Sequence, residues 1–209
     1  MDIKLVSAFG FIGVFLLLFT FILGGLLIEN YDITSQFISE SYAVDTKYGL
    51  YLRVFGYIPS GIMISLFYFL GVKYLQPNIL VKIGFYGIGI FYGLGTIITA
   101  IFPCDSGCNK EMLNPSFAQI IHNLSALTMY LFVPFFIISI GLAIKKTRHL
   151  FSIQSIIIGL FSLILIYLFS SNLTSEFIGL YQRAIEMLFI IWTILSSIEI
   201  NKAGILKQS

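Results

Sequence analysis

Charge is what this chain has least of: only 11% of its 209 residues are Asp, Glu, Lys or Arg, while 58% are hydrophobic. So little charge cannot cover the surface of a soluble domain, and a mean hydropathy of +0.96 says the same. The net charge of +2 is too small to mark a nucleic-acid partner, and none is expected. Histidine and cysteine are scarce too, with two of each. No haem-attachment motif, phosphate-binding loop or flavin fingerprint occurs, so no cofactor is expected. Strand-like alternation is also missing. The apolar stretches are continuous, which excludes a transmembrane β-barrel.

Long apolar runs are abundant instead. About 20 consecutive apolar residues cross a bilayer core as a helix. Six runs meet that test, at 6–28, 54–75, 79–102, 117–144, 153–169 and 180–198. The first is too long for a cleaved leader and ends in GGLLIENYD without a small-x-small pattern. The expected fold is an all-α integral membrane protein, a six-transmembrane-helix bundle forming a single domain over residues 1–209.

Basic residues sort by connection. Lys4, Lys73, Lys82, Lys145, Lys146, Arg148, Lys202 and Lys207 fall on the side of the termini, against Lys47, Arg53, Lys110 and Arg183 on the other. Basic residues accumulate in cytoplasmic loops, so both termini are expected to be cytoplasmic. Most acids fall on the outer side. There too lies FPCDSGCNKE, which holds both cysteines, Cys104 and Cys108. A disulfide, a metal site and two free thiols all fit this knot. Its non-cytoplasmic placement favours the disulfide, which an i,i+4 pair can close only in a non-helical loop.

The outer loop 29–53 is the longest connection. Within it, Asp32, Thr34 or Ser35 is suited to cap a short amphipathic helix through SQFISESYA, lying on the membrane surface or lidding the bundle. In the third run, Gly89 and Gly93 make a small-xxx-small step for close helix contact, within the chain or between copies in a homo-oligomer. Pro134 in LFVPFF is expected to kink the fourth helix.

Polar residues converge at one depth on the outer side. Gln119, His122 and Asn123 share one face of the fourth helix, Gln182, Arg183 and Glu186 open the sixth, and Arg53, Tyr57 and Ser60 come from the second. An unpaired charge at that depth costs on the order of 3 kcal/mol. Arg53 and Arg183 are therefore expected to pair with acids drawn from Asp32, Glu40, Asp105 and Glu186. A base at His122, oriented by Asp105 or Glu186, an anion-holding Arg183 and a nucleophilic Ser39 are the chemical roles this cluster offers. His149 is expected on the cytoplasmic side, away from His122, so a three-histidine zinc site is unavailable and no metal is expected.

YDITSQFISE after the first helix, FPCDSGC after the third, IIHNLSA in the fourth and GLYQR opening the sixth occur in that order. Together they resemble family 998 of the domains of unknown function, small polytopic membrane proteins of bacteria and archaea. More remotely the chain is similar to the damage-regulated autophagy modulator family. The resemblance covers almost the whole chain and implies the cell membrane as its location. It points to Tyr31, Asp32, Ser39, Glu40, Pro103, Asp105, His122, Gln182 and Arg183, and it brings no activity.

Three classes of function fit these residues. The cluster of Asp32, Ser39, Glu40, Arg53, Asp105, His122, Gln182, Arg183 and Glu186 either binds, or acts on, a lipid or other small amphipathic ligand at the outer leaflet, or it is structural, closing the bundle of a scaffold or regulator. A transporter is disfavoured, because the inner half shows no run of polar lining positions.

Overall fold

The computed structural model describes residues 2–75 and 78–205; Lys207 lies outside them. Six helices account for most of the chain. They are α1 (Ile3–Leu27), α2 (Gly49–Tyr74), α3 (Ile79–Ile101), α4 (Phe117–Ile144), α5 (His149–Ser171) and α6 (Ile178–Ile205). All six are long and apolar enough to cross a membrane, and the described residues contain no strand. The helices begin where a side-chain oxygen can take a free backbone N–H. Asp2 accepts from Lys4, Asn78 from Leu80, and Ser116 from Gln119.

Each helix packs on the next in sequence, and α6 closes on α1, making a ring. Close approach depends on absent side chains. A Cβ on Gly61 of α2 would stand 2.7 Å from the Gly93 carbonyl of α3, and one on Gly93 would stand 2.8 Å from the Ser65 nitrogen. The small-xxx-small step of α3 is thus used within the chain: Gly89 faces Phe69 and Gly93 faces Ser65, both on α2. Some buried serines and threonines satisfy their hydroxyls on carbonyls of their own helix, as Ser155, Ser162, Thr193 and Ser197 do, while Ser7, Ser60 and Ser152 donate to carbonyls of a neighbouring helix.

A ring of six helices has an axis to fill. In the half near the chain termini, rings fill it: Trp192 is flanked by Tyr68, Phe85 and Phe151 at centroid distances of 6.0, 6.2 and 6.1 Å. Hydrogen bonds from Trp192 to Ser155 and between Tyr68 and Thr193 lock this plug. The other half is closed by connections 28–48, 102–116 and 172–177, here called the capped end. Below this cap two helices are locally underwound. Arg53–Tyr57 of α2 and Gly89–Leu94 of α3 form wide π-type turns, which commonly mark functional sites.

The long connection differs from expectation. It holds no surface helix. Ile38–Tyr42 forms one tight 3₁₀ turn in which every residue is buried, driven down into the mouth of the ring. Its start is closed by Glu40, whose Oε1 accepts the Phe37 N–H at 2.8 Å. Asp32 instead caps the start of an earlier turn, accepting from Thr34 N–H and the Ser35 hydroxyl. The segment enters the bundle interior, and the longer rise per residue of a 3₁₀ turn carries it there in five residues.

Candidate functional site

The knot that holds both cysteines is a Cys104–Cys108 disulfide. Gly107 at φ 60° and Cys108 at φ 55° turn the loop out of any helix, which lets two cysteines four apart meet. Gln119 from α4 anchors the knot, accepting the Asp105 N–H at 2.7 Å and donating to Cys108 O at 3.2 Å. Val44 N–H reaches Cys104 O and ties the knot to the long connection. Asp105 accepts from Ser116 N–H, which holds its carboxyl below the usual carboxylate range, as the Ser35 and Thr34 bonds do for Asp32. Both aspartates are solvated loop braces outside the site.

Among the described residues Arg53 and Arg183 do not pair with acids. One guanidinium nitrogen of Arg183 donates to the carbonyls of Ile33, Gln36 and Gly179 at 2.9, 2.8 and 2.9 Å, and another donates to the Tyr31 hydroxyl. Burial raises the Tyr31 hydroxyl to about 12 despite that cation, so it stays protonated and donates to Phe37 O. The Leu180 N–H adds a bond to Thr34 O. The first turn of α6 is therefore a latch for the long connection. Carbonyl oxygens, not carboxylates, satisfy Arg183, because five fixed donors suit several carbonyls at a helix start. Among the described residues, Arg53 donates to Gly49 O in its own helix and to no acid. Glu40 pairs instead with Lys110 of the disulfide loop at 3.0 Å.

Four of the expected residues do come together, along the axis beneath the cap. Ser39, His122, Gln182 and Glu186 line a chamber of about 50 Å³ with Tyr42, Tyr57, Thr96, Thr99 and Tyr130. His122 is oriented by neither Asp105 nor Glu186. Its Nδ1 lies 3.1 Å from Thr99 O and 3.0 Å from Phe102 O. Carbonyls only accept, so Nδ1 carries the proton, and in the neutral ring Nε2 keeps its lone pair. Ser39 sits 3.2 Å from Cys108 Sγ and has no base bonded to it, which removes the support for a nucleophilic role. Gln182 accepts the Ile38 N–H at 2.6 Å, fixing the 3₁₀ turn over the chamber. Glu186 is buried and takes hydroxyl donors from Tyr130 at 2.9 Å and Tyr92 at 3.3 Å. Among the described residues no lysine or arginine pairs with it. Tyr57 Oη is the one buried side-chain polar atom left without a partner among them.

The chamber adjoins a larger cleft of about 490 Å³, and Ser39, His122, Ala126, Tyr130 and Gln182 line both. The cleft runs between α4 and α5, walled by Leu127, Leu131, Ile166, Phe169 and Leu173, with Lys110 and Asn123 at its capped end. Leu127 and Leu131 are exposed on the perimeter of the ring, so the cleft opens sideways. It begins one turn beyond a close α4–α5 contact, where a Cβ on Gly159 would stand 2.9 Å from the Pro134 carbonyl.

Reading the sequence missed Tyr92, Thr96, Thr99, Tyr130 and Lys110. A signal existed for most of them. Tyr92, Thr96 and Thr99 repeat at helical spacing, and Tyr130 lies two turns from His122 on one face of α4 through Ala126. Lys110 had none, since a loop lysine reaches the cleft only through the fold of the disulfide knot.

A family described as "Protein of unknown function (DUF998)" matches residues 11–199, so the chain belongs to that family. No curated protein and no solved structure matches the chain, and the remote likeness to the damage-regulated autophagy modulator family is not shown.

Proposed function

From that membership, which carries no activity of its own, we propose that the protein is a receptor for a membrane amphiphile. The ligand enters sideways from the bilayer through the α4–α5 cleft, with its chain on the leucine wall and its head under the cap. The supporting observation is a lateral cleft whose apolar walls end on polar groups, the form expected of an amphiphile site. Charge restricts the head. Lys110, the cation at the cleft, is already paired with Glu40, and Arg183 is occupied by carbonyls. A phosphate or carboxylate head would find no free cation, so the ligand is not anionic. We further propose that the capped end faces away from the cytoplasm, in the cell membrane of a bacterium or archaeon, and that residues 1–209 form one domain.

A second reading has its own observation. Arg183 and Gln182 spend their hydrogen bonds on the long connection, as structural residues do. Native mass spectrometry from mild detergent separates the two. A site predicts a discrete lipid-sized adduct on the wild type, lost in Ala126→Trp, which fills the shared wall, with the fold retained. A bare wild type and unaltered thermal stability in Ala126→Trp would assign the polar groups to holding the bundle closed.

A further inference from the structure

The chamber beyond the cleft is lined by polar side chains and aromatic rings, with no lysine or arginine among its lining residues. Three of its polar groups matter. Glu186 is a carboxyl group 7% exposed, with tyrosine hydroxyls as its only bonds among the described residues. Tyr57 Oη, on a residue 3% exposed, has no partner at all among them. His122 turns its protonated nitrogen to two backbone carbonyls, and no bond from the described residues reaches Nε2. The walls between them are rings. Tyr42 and Tyr57 lie 4.3 Å apart, Phe21 stands 5.8 Å from Tyr57, and Tyr42 stands 6.1 Å from His122.

We propose that this chamber takes the primary ammonium head of a long-chain amine whose chain occupies the α4–α5 cleft. The reasoning rests on the amphiphile reading above and specifies its ligand class. An ammonium brings three donors and one positive charge. It would give His122 Nε2 the donor it lacks and Glu186 the counter-charge a buried carboxylate needs, and the Tyr57 Oη lone pairs can accept from it as well. Aromatic faces attract the same charge. A neutral hydroxyl head can donate and accept, but it brings no charge and leaves Glu186 without a counter-charge. Size restricts the head further. About 50 Å³ has room for roughly three water-sized groups, which suits a bare –NH₃⁺ on its methylene and not a trimethylated nitrogen.

The experiment measures binding of three probes to the purified full chain in a maltoside detergent at pH 7: dodecylamine, dodecanol and dodecyltrimethylammonium. Thermal shift and native mass spectrometry read the result, for wild type and Glu186→Gln. A primary amine is fully charged at that pH. Dodecylamine is expected to bind wild type at least tenfold tighter than either other probe. Glu186→Gln, which keeps an acceptor for the tyrosines, is expected to lose that preference while retaining dodecanol. Equal amine binding by wild type and Glu186→Gln would overturn the proposal, and so would a preference for dodecanol, and in both cases the cleft would stand as an amphiphile site. Failure of all three probes would remove both the ammonium head and the amphiphile reading. If Glu186→Gln does not fold, the ranking of the three probes on wild type decides alone.

Discussion

Asp105 and Glu186 are both carboxylates near the capped end, and their surroundings give them opposite work. Asp105 is solvated and accepts from Ser116 N–H, so its charged form is stabilised and its carboxyl is held below the ordinary range. A depressed carboxylate contributes stability that is complete above its unfolded value, about 3.9, and lost as pH falls through the folded value. Asp32, lowered by Ser35 and Thr34, carries the same sign. The melting temperature is therefore expected to fall as pH drops from 5 toward 2.5. Asp105→Asn should melt slightly lower at pH 6 and show a shallower acid decline; an identical decline in the variant would show that Asp105 contributes nothing to it. Both aspartates stand out in the sequence as charges in outer loops. Nothing there says that they brace turns, whereas Glu186 reaches the axis, because that depends on where α6 is rotated in the ring.

The first turn of α6 is the element on which the cap depends. Arg183 collects three carbonyls, Leu180 N–H takes a fourth, and Gly179 lets the connection lie against the helix. A Cβ on Gly179 would stand 2.4, 2.6 and 2.8 Å from the Gln36, Ile33 and Thr34 oxygens, all of them backbone and unable to swing aside. Gly179→Ala is expected to destabilise by about 1–3 kcal/mol, in the range of overpacking. Thermal unfolding would measure it, with proteolysis at the 28–48 connection rising at the same time; an unchanged melting temperature would mean that the connection is not latched there. The π-type turns act at this scale too. Each adds a residue to a turn, so Tyr57 and Tyr92 face the axis where a regular 3.6-residue period would rotate them elsewhere. Helical spacing groups Tyr92 with Thr96 and Thr99, but the widened turns set the direction in which each tyrosine faces.

As a whole the molecule is a closed ring, filled with aromatic rings toward the chain termini and hollow toward the cap. The plug of rings around Trp192 occupies the axis on that side, and the chamber lies on the capped side of it. The proposed orientation has a direct test. In intact spheroplasts, a membrane-impermeant reductant followed by an impermeant maleimide should label Cys104 and Cys108, while Lys146→Cys should label only after the membrane is opened. The reverse pattern would invert the topology. The six helices, the lack of strand-like alternation and a cysteine loop outside the helices are legible in the residues alone, because hydrophobic length and local turn chemistry act over twenty residues or fewer. That Arg53 and Arg183 bind carbonyls and that Lys110 takes Glu40 follows only from how the helices assemble. The tertiary structure alone decided that Ser39, His122, Gln182 and Glu186 meet Tyr57 in one chamber. Those outcomes depend on helix rotation and on how far each connection sinks into the ring, and both are set by contacts between residues distant in the chain, such as Arg183 and Ile33, 150 positions apart.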